Sequence, residues 1–386
     1  MESPQKPITM FEAASLVAGI GVGGGIMAVP YLASRTGLMP IVVLVAIAYG
    51  ISLLLHLMIA EIVLRDGTEK QLVELFIRYV FRGKLAGAPV WLFFALLAAG
   101  FLFSLTGYLA GCAEILMNLL GFSRKTGTLV SYLFAAGVVL FGLKAVGWIE
   151  KWAIAGLALI ITILSITSAG NATQPIPVLS GDVAENMALF GMLMFSFACF
   201  WSVPQAVKGL SHNKKRIAPA IALGIGINAV FVLAITFAVL AVSNPVTEVA
   251  INGWGNALGG FALVLGSLAV LLAMITSYWA TSLAFAVILK ERLALSYRLG
   301  WFLATAPTLA LGLADLTGFM GFMRITGGAI AVMLAVLVIP AVRASRRMTP
   351  DTAIAFHLGF FGETGMQLVV VAAYLLMAAG SLVPVN

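Results

Sequence analysis

Along the chain, long apolar stretches alternate with short polar ones that are mostly basic. A helix needs roughly 20 apolar residues to cross the hydrocarbon core of a bilayer. On that measure eleven segments are expected, at about 8–36, 38–64, 88–120, 127–143, 148–169, 187–208, 217–243, 257–289, 296–313, 319–342 and 362–383. The first runs past signal-peptide length without a basic n-region or a clean small-residue cleavage site, so it is read as part of the mature protein. Between the second and third, EKQLVELFIRYVFRGK places Leu72, Leu75, Phe76, Tyr79 and Val80 at helical spacing among basic residues. That pattern predicts an amphipathic helix on the inner membrane surface.

Composition supports the same class. Of 386 residues, 62% are hydrophobic and 10% charged, against about 25% charged in soluble domains. The mean hydropathy is +1.09, so a water-soluble enzyme is excluded and an all-α, multi-pass protein of the cell (inner) membrane is expected. The net charge of +7 lies in clusters between spans, which reads as an orientation signal rather than a nucleic-acid surface. With the N-terminus inside, only Arg35, Arg124, Lys125 and Arg324 of the basic residues fall outside. The positive-inside rule therefore predicts a cytoplasmic N-terminus and, with eleven spans, an extracytoplasmic C-terminus.

Two segments carry interruptions. The first has Gly21-Val22-Gly23-Gly24-Gly25 at mid-span, and the sixth has FSFACFWSVP at 195–204. Backbone left unpaired in lipid is costly, so such breaks are expected to line a cavity enclosed by protein or water; close packing of small residues is the alternative for the glycine run. Positions one and six match, and the third and eighth segments are both unusually long. Segments one to five (1–170) and six to ten (171–342) then form two halves. Five spans is an odd number, so consecutive halves insert with opposite orientation, as in inverted-repeat transporters; 343–386 adds an eleventh helix.

GVGGGIMAVPYLASRTG, FSFACFWSVPQAVKGL with the following HNKKR, and ITGGAIAVMLAVLVIPAVRASRR at 325–347 resemble the amino acid/auxin permease family. The likeness is to its sodium-coupled neutral amino acid transporters, within the amino acid-polyamine-organocation superfamily. A histidine common in that family after the phenylalanine run is replaced here by Phe200-Trp201. The resemblance implies a LeuT-type fold of five plus five helices and one more, with the first and sixth broken. It also implies a sodium site from Thr276, Ser277 and the carbonyls of Ala18, Gly21 and Ala273. All five offer oxygen to a hard cation, although the two hydroxyls have an alternative in bonding back to the preceding turn.

The same breaks suit an α-amino acid. Amides around Gly23, Gly24 and Gly25, with Gly21 and Val22 beside them, open a half-helix whose positive end favours a carboxylate. The freed carbonyls of Ser196, Phe197 and Ala198 offer acceptors for an ammonium group. Tyr108 offers a hydroxyl to the carboxylate or is an ordinary packing residue. Phe195, Phe200, Trp201, Tyr278 and Thr281 are candidates for side-chain selection, favouring apolar or aromatic substrates, or are core residues.

The expected function is therefore secondary active transport of neutral amino acids by alternating access, with sodium symport. A proton-coupled symporter or exchanger is the alternative and a channel a remoter one; the chain lacks a short re-entrant filter loop. Glu114 is the proton-coupling candidate. Glu61, His56 and Glu363 lie near span ends and read as snorkelling or structural groups, and Asp182, Glu185 and Asp315 read as solvated loop residues. Almost nothing ionisable is expected at the bilayer centre. No enzyme is expected: His56, His212 and His357 form no HExxH and no serine sits in a nucleophile motif. Cys112 and Cys199 have no ligand-like spacing and read as small core residues. The implied partners are an amino acid, lipid and sodium, with no other cofactor, no nucleic acid, and one copy sufficing for transport.

Overall fold

The computed structural model describes residues 7–383 apart from Gly24, Glu69, 82–86, 247–249, 315–318, Asp351 and Ala353. Side chains of Ile26, Met27, 250–252 and 319–330 are likewise not described. Lys6, Gly24, Arg82, Lys84, Asp315 and the Arg324 side chain thus lie outside the description.

Helix α1 (Met10–Gly21) begins at a capping box, in which the Thr9 hydroxyl accepts from the Glu12 amide and the Glu12 carboxylate from the Thr9 amide. It stops after 12 residues at the glycine run, where the Val22 amide bonds back to the Ala18 carbonyl at 2.9 Å. The chain resumes as α2 (Gly25–Thr36). At Gly37 the backbone turns with φ of 90° into α3 (Leu38–Asp66), whose first amides donate to the Pro177 and Val178 carbonyls.

The sixth segment breaks as well. Helix α8 (Val183–Ser196) is separated by a short 3-10 turn, Phe200–Ser202, from α9 (Val203–Gly209), which carries Pro204 in its first turn. A proline lacks the amide that position would leave unbonded, so it starts a helix readily. The other apolar segments form α5 (Gly87–Leu120), α6 (Arg124–Val139), α7 (Leu143–Gly170), α10 (Ile217–Val242), α12 (Gly260–Leu293), α13 (Tyr297–Leu313), α14 (Phe319–Met348) and α15 (Thr364–Ser381). Seven helical runs among the described residues are long and apolar enough to cross a membrane unaided. Helices α5 and α12, both of 34 residues, are about 51 Å long at 1.5 Å per residue. That exceeds a ~30 Å hydrocarbon core, so in a bilayer they would extend past it or tilt, and they pack on each other.

The helices sort into two groups by their packing. Helices α1, α2, α3, α8, α9 and α10 contact one another; α5, α6, α7, α12 and α13 form a second group around α12. The groups meet where α7 packs on both α1 and α10 and where α1 lies on α12.

The amphipathic stretch forms α4 (Leu72–Tyr79), but its apolar face is covered by protein. Leu72, Leu75, Phe76 and Tyr79 are buried, and the helix packs on α14, α3 and α12. Its polar edge is held by Arg78 to Asp66 at 2.8 Å and Arg292 to Glu74 at 3.5 Å. A face that reads as lipid-directed is here a docking face. A further helix, α11 (Ala250–Leu258), precedes α12; its fully buried Trp254 donates its indole N–H to Ser168 Oγ at 3.1 Å.

Three acids among the described residues are buried within the protein. Glu12, Glu61 and Glu150 are at most 2% exposed. They lie near helix ends, but those ends are buried against neighbouring helices. Glu61 is a structural group, held by Arg346 through two bonds of 2.7 Å and by Arg65 at 2.8 Å. Glu12 pairs with Lys144 at 2.9 Å and Lys151 at 3.9 Å. His56 does not snorkel: it is fully buried, its Nδ1–H donating to the Ser52 carbonyl at 2.6 Å and its ring 6.2 Å from that of Phe200. Glu363 is exposed, as is Asp182, which caps α8. Glu185 is half-buried, 3.7 Å from Arg35.

Candidate functional site

The two broken helices face each other. At the end of α1, Gly21 is so close to α8 that a Cβ there would lie 2.5 Å from the Ser196 carbonyl oxygen and 2.6 Å from Cys199 Sγ, besides striking the Asn228 amide. At Gly23, a Cβ would lie 2.8 Å from Ser277 Oγ and 3.3 Å from Tyr108 Cε1. Only glycine lets the backbone approach this closely.

Between the breaks lies a small cavity of about 80 Å³. Gly21, Gly23, Gly25 and Ile20 line it from the first break, and Phe195, Ala198, Phe200 and Trp201 from the second. Gly100, Phe101, Ser104 and Tyr108 line it from α5, a spacing that puts them on one helix face. Thr281 of α12 and Ala331 of α14 close it. Phe101 holds the aromatic wall together: its centroid is 4.8 Å from Trp201 and 4.8 Å from Phe285, and the Phe285 ring is stacked on it at 7°.

The structure thus gathers Gly21, Gly23, Gly25, Tyr108, Phe195, Ala198, Phe200, Trp201 and Thr281 around one space. Val22, Ser196 and Phe197 are buried behind that lining. Tyr278 is elsewhere, its hydroxyl 3.1 Å from Thr308 Oγ1 between α12 and α13. Phe101 and Ser104 were not anticipated. Their signal in the sequence was their spacing of seven and four residues from Tyr108, on the face that Tyr108 shares.

Backbone polarity at the breaks is uneven. The Phe195 carbonyl accepts from the Ala198 amide and the Phe197 carbonyl from the Cys199 amide. The Ser196 carbonyl instead faces Gly21. On α1, the last carbonyls of a helix have no intrahelical partner. Those of Gly19 and Ile20 accept from the Ser277 hydroxyl at 2.7 and 3.3 Å. The Ala18 carbonyl takes the Val22 amide, and Thr276 Oγ1 donates back to the Ala273 carbonyl at 3.0 Å. A cluster of carbonyl and hydroxyl oxygens, all buried, therefore joins α1 to α12. Such a donor set fits a hard monovalent cation.

Glu114 lies outside this region, 42% exposed and 3.5 Å from Arg124. Both cysteines are free and buried; the Asn228 amide donates to Cys199 Sγ at 3.3 Å.

No protein-family model matches the chain, and no curated protein does. Among solved structures, the chain is similar to Mhp1, a nucleobase-cation-symport-1 family transporter, in a closed conformation with bromovinylhydantoin bound. The TM-score is 0.66 at 14% identity, covering 99% of this chain and 93% of that one. The molecule is an all-helical, multi-pass membrane protein of LeuT-like fold.

Proposed function

We propose that this protein is a secondary active transporter of neutral, apolar or aromatic L-amino acids that works by alternating access as a sodium symporter. The carrying observation is the cavity enclosed by the two broken helices. The start of α2 presents amides and a positive dipole end to a carboxylate, and the Ser196 and Ala198 carbonyls are acceptors for the ammonium. The Phe101, Phe200 and Trp201 rings take the side chain, and Tyr108 contributes its hydroxyl.

Resemblance to the amino acid/auxin permeases supports an amino acid as substrate. The likeness to Mhp1, a cation symporter by its family name, supports cation coupling. Sodium, when bound, supplies positive charge between α1 and α12; Thr276, Ser277 and the carbonyls of Ala273 and the α1 end would hold it. In this reading the group of α1, α2, α3 and α8–α10 rocks against the group around α12. The two halves divide near residue 170, and residues 343–386 lie outside the repeat.

The test is a thermal-shift screen of the twenty amino acids on purified protein, with sodium or choline. A ligand that binds only the folded protein raises its melting temperature. A neutral amino acid that stabilises the protein in sodium but not in choline supports the reading; stabilisation by none of the twenty rejects the substrate class.

A further inference from the structure

Glu150, on α7, is fully buried, and neither of its carboxylate oxygens has a hydrogen-bond partner. No ion pair among the described residues includes it. An unpaired carboxylate out of water is strongly disfavoured, so a group in this position takes up either a proton or a positive partner that protein atoms do not supply. The nearby cations are committed: Lys144 and Lys151 both pair with Glu12. Helix α10, which also packs here, carries no charged residue between Ile217 and Val242.

What Glu150 faces is informative. A Cβ on Gly19 would lie 2.8 Å from Glu150 Cδ and 2.9 Å from Oε1, so the carboxylate sits on the bare backbone of α1. By covalent geometry, Oε1 is then within about 6 Å of the Gly19 carbonyl oxygen. That carbonyl is the one Ser277 reaches at 2.7 Å. One turn earlier on α1, Ser15 has a fully buried hydroxyl without a partner.

We propose that Glu150 is the carboxylate of the cation site at the end of α1, so that sodium is held by α7 as well as by α1 and α12. This rests on the sodium reading above and changes its electrostatics. A cage of carbonyls and hydroxyls alone leaves a full positive charge in a low-dielectric interior, whereas adding Glu150 makes site and ion neutral together. It also provides a coupling device. Helix α1 belongs to one packing group and α7 and α12 to the other, so a bound cation clamps the groups together. Its loss leaves Glu150 unpaired against Gly19, which favours separation.

The test uses purified full-length protein without amino acid, titrated with sodium against choline at constant ionic strength and followed by melting temperature. Wild-type protein is expected to gain stability with sodium, and Glu150→Gln, which keeps the volume and removes the charge, to need at least about tenfold more sodium for half the effect. In choline the variant should melt no lower than wild type, because it lacks the unpaired charge. An unchanged sodium midpoint in Glu150→Gln overturns the proposal and leaves the sodium reading standing; no sodium response in wild type rejects that reading and the proposal with it. Stabilisation by lower pH in place of sodium means that a proton occupies the carboxylate, and also overturns it. A second measurement needs no variant: the sodium-minus-choline infrared difference spectrum of wild-type protein should show a shifted carboxylate band. A spectrum without one counts against Glu150.

Discussion

At Gly23 a single hydrogen is all that separates the chain backbone from Ser277 and Tyr108, and a Cβ would come within 2.8 Å of the serine hydroxyl. A larger residue must push the start of α2 away from α5 and α12 and close the cavity. Gly23→Leu is therefore predicted to abolish amino acid uptake while the protein still elutes as a folded, monodisperse species; unchanged uptake would remove the break from the substrate site. Ser277 is the hydroxyl that ties α12 to the end of α1. Ser277→Ala is expected to raise the sodium concentration for half-maximal uptake by about tenfold, the usual cost of a lost hydrogen bond to a charged group. An unchanged sodium dependence would place the cation elsewhere. Most residues of the aromatic wall were legible because they cluster beside a break that the sequence itself announces. Glu150 was not, because nothing in WIEKWAIAG tells that α1 will lie against that turn of α7 with a glycine facing it.

Among the elements, those defined by hydrophobic length and by glycine or proline could be read directly. The glycine run ends α1 at Gly21, and Phe200 to Pro204 separates α8 from α9. Helix α4 was legible as an amphipathic helix, but its surroundings were not: amphipathicity says that one face is covered, not whether lipid or protein covers it. Helix α11 was hidden because Gly253, Gly255 and Asn256 weaken its helical signal, while the buried Trp254 anchors it to α7. Replacing Trp254 with alanine empties a fully buried site and is predicted to cost about 3–5 kcal/mol, seen as a lower melting temperature. A neutral result would mean that α11 is not docked. The Glu61 cluster joins α3 to α14 through Arg346. Glu61→Leu leaves two arginines facing a buried apolar group and is expected to destabilise by about 3 kcal/mol or more, whereas a charge pair that only decorates the surface would lose under about 1 kcal/mol.

For the whole molecule, we read the meeting of the two breaks as the outcome of an inverted repeat, in which matched positions in two halves of opposite orientation come together. Clusters of basic residues predict a cytoplasmic N-terminus and an external C-terminus. Alkaline phosphatase fused at the C-terminus should be active in an inner-membrane host, and an inactive fusion would reverse the orientation. The claim on which the rest depends is that the cavity carries an amino acid across the membrane at the expense of a sodium gradient. Its most direct test is uptake of a labelled neutral amino acid by proteoliposomes under an inward sodium gradient. The account predicts saturable accumulation above the external concentration, accelerated by unlabelled substrate inside and lost when choline replaces external sodium at fixed pH. Non-saturable equilibration without counterflow, or accumulation that survives choline and is stopped by a protonophore, would contradict it.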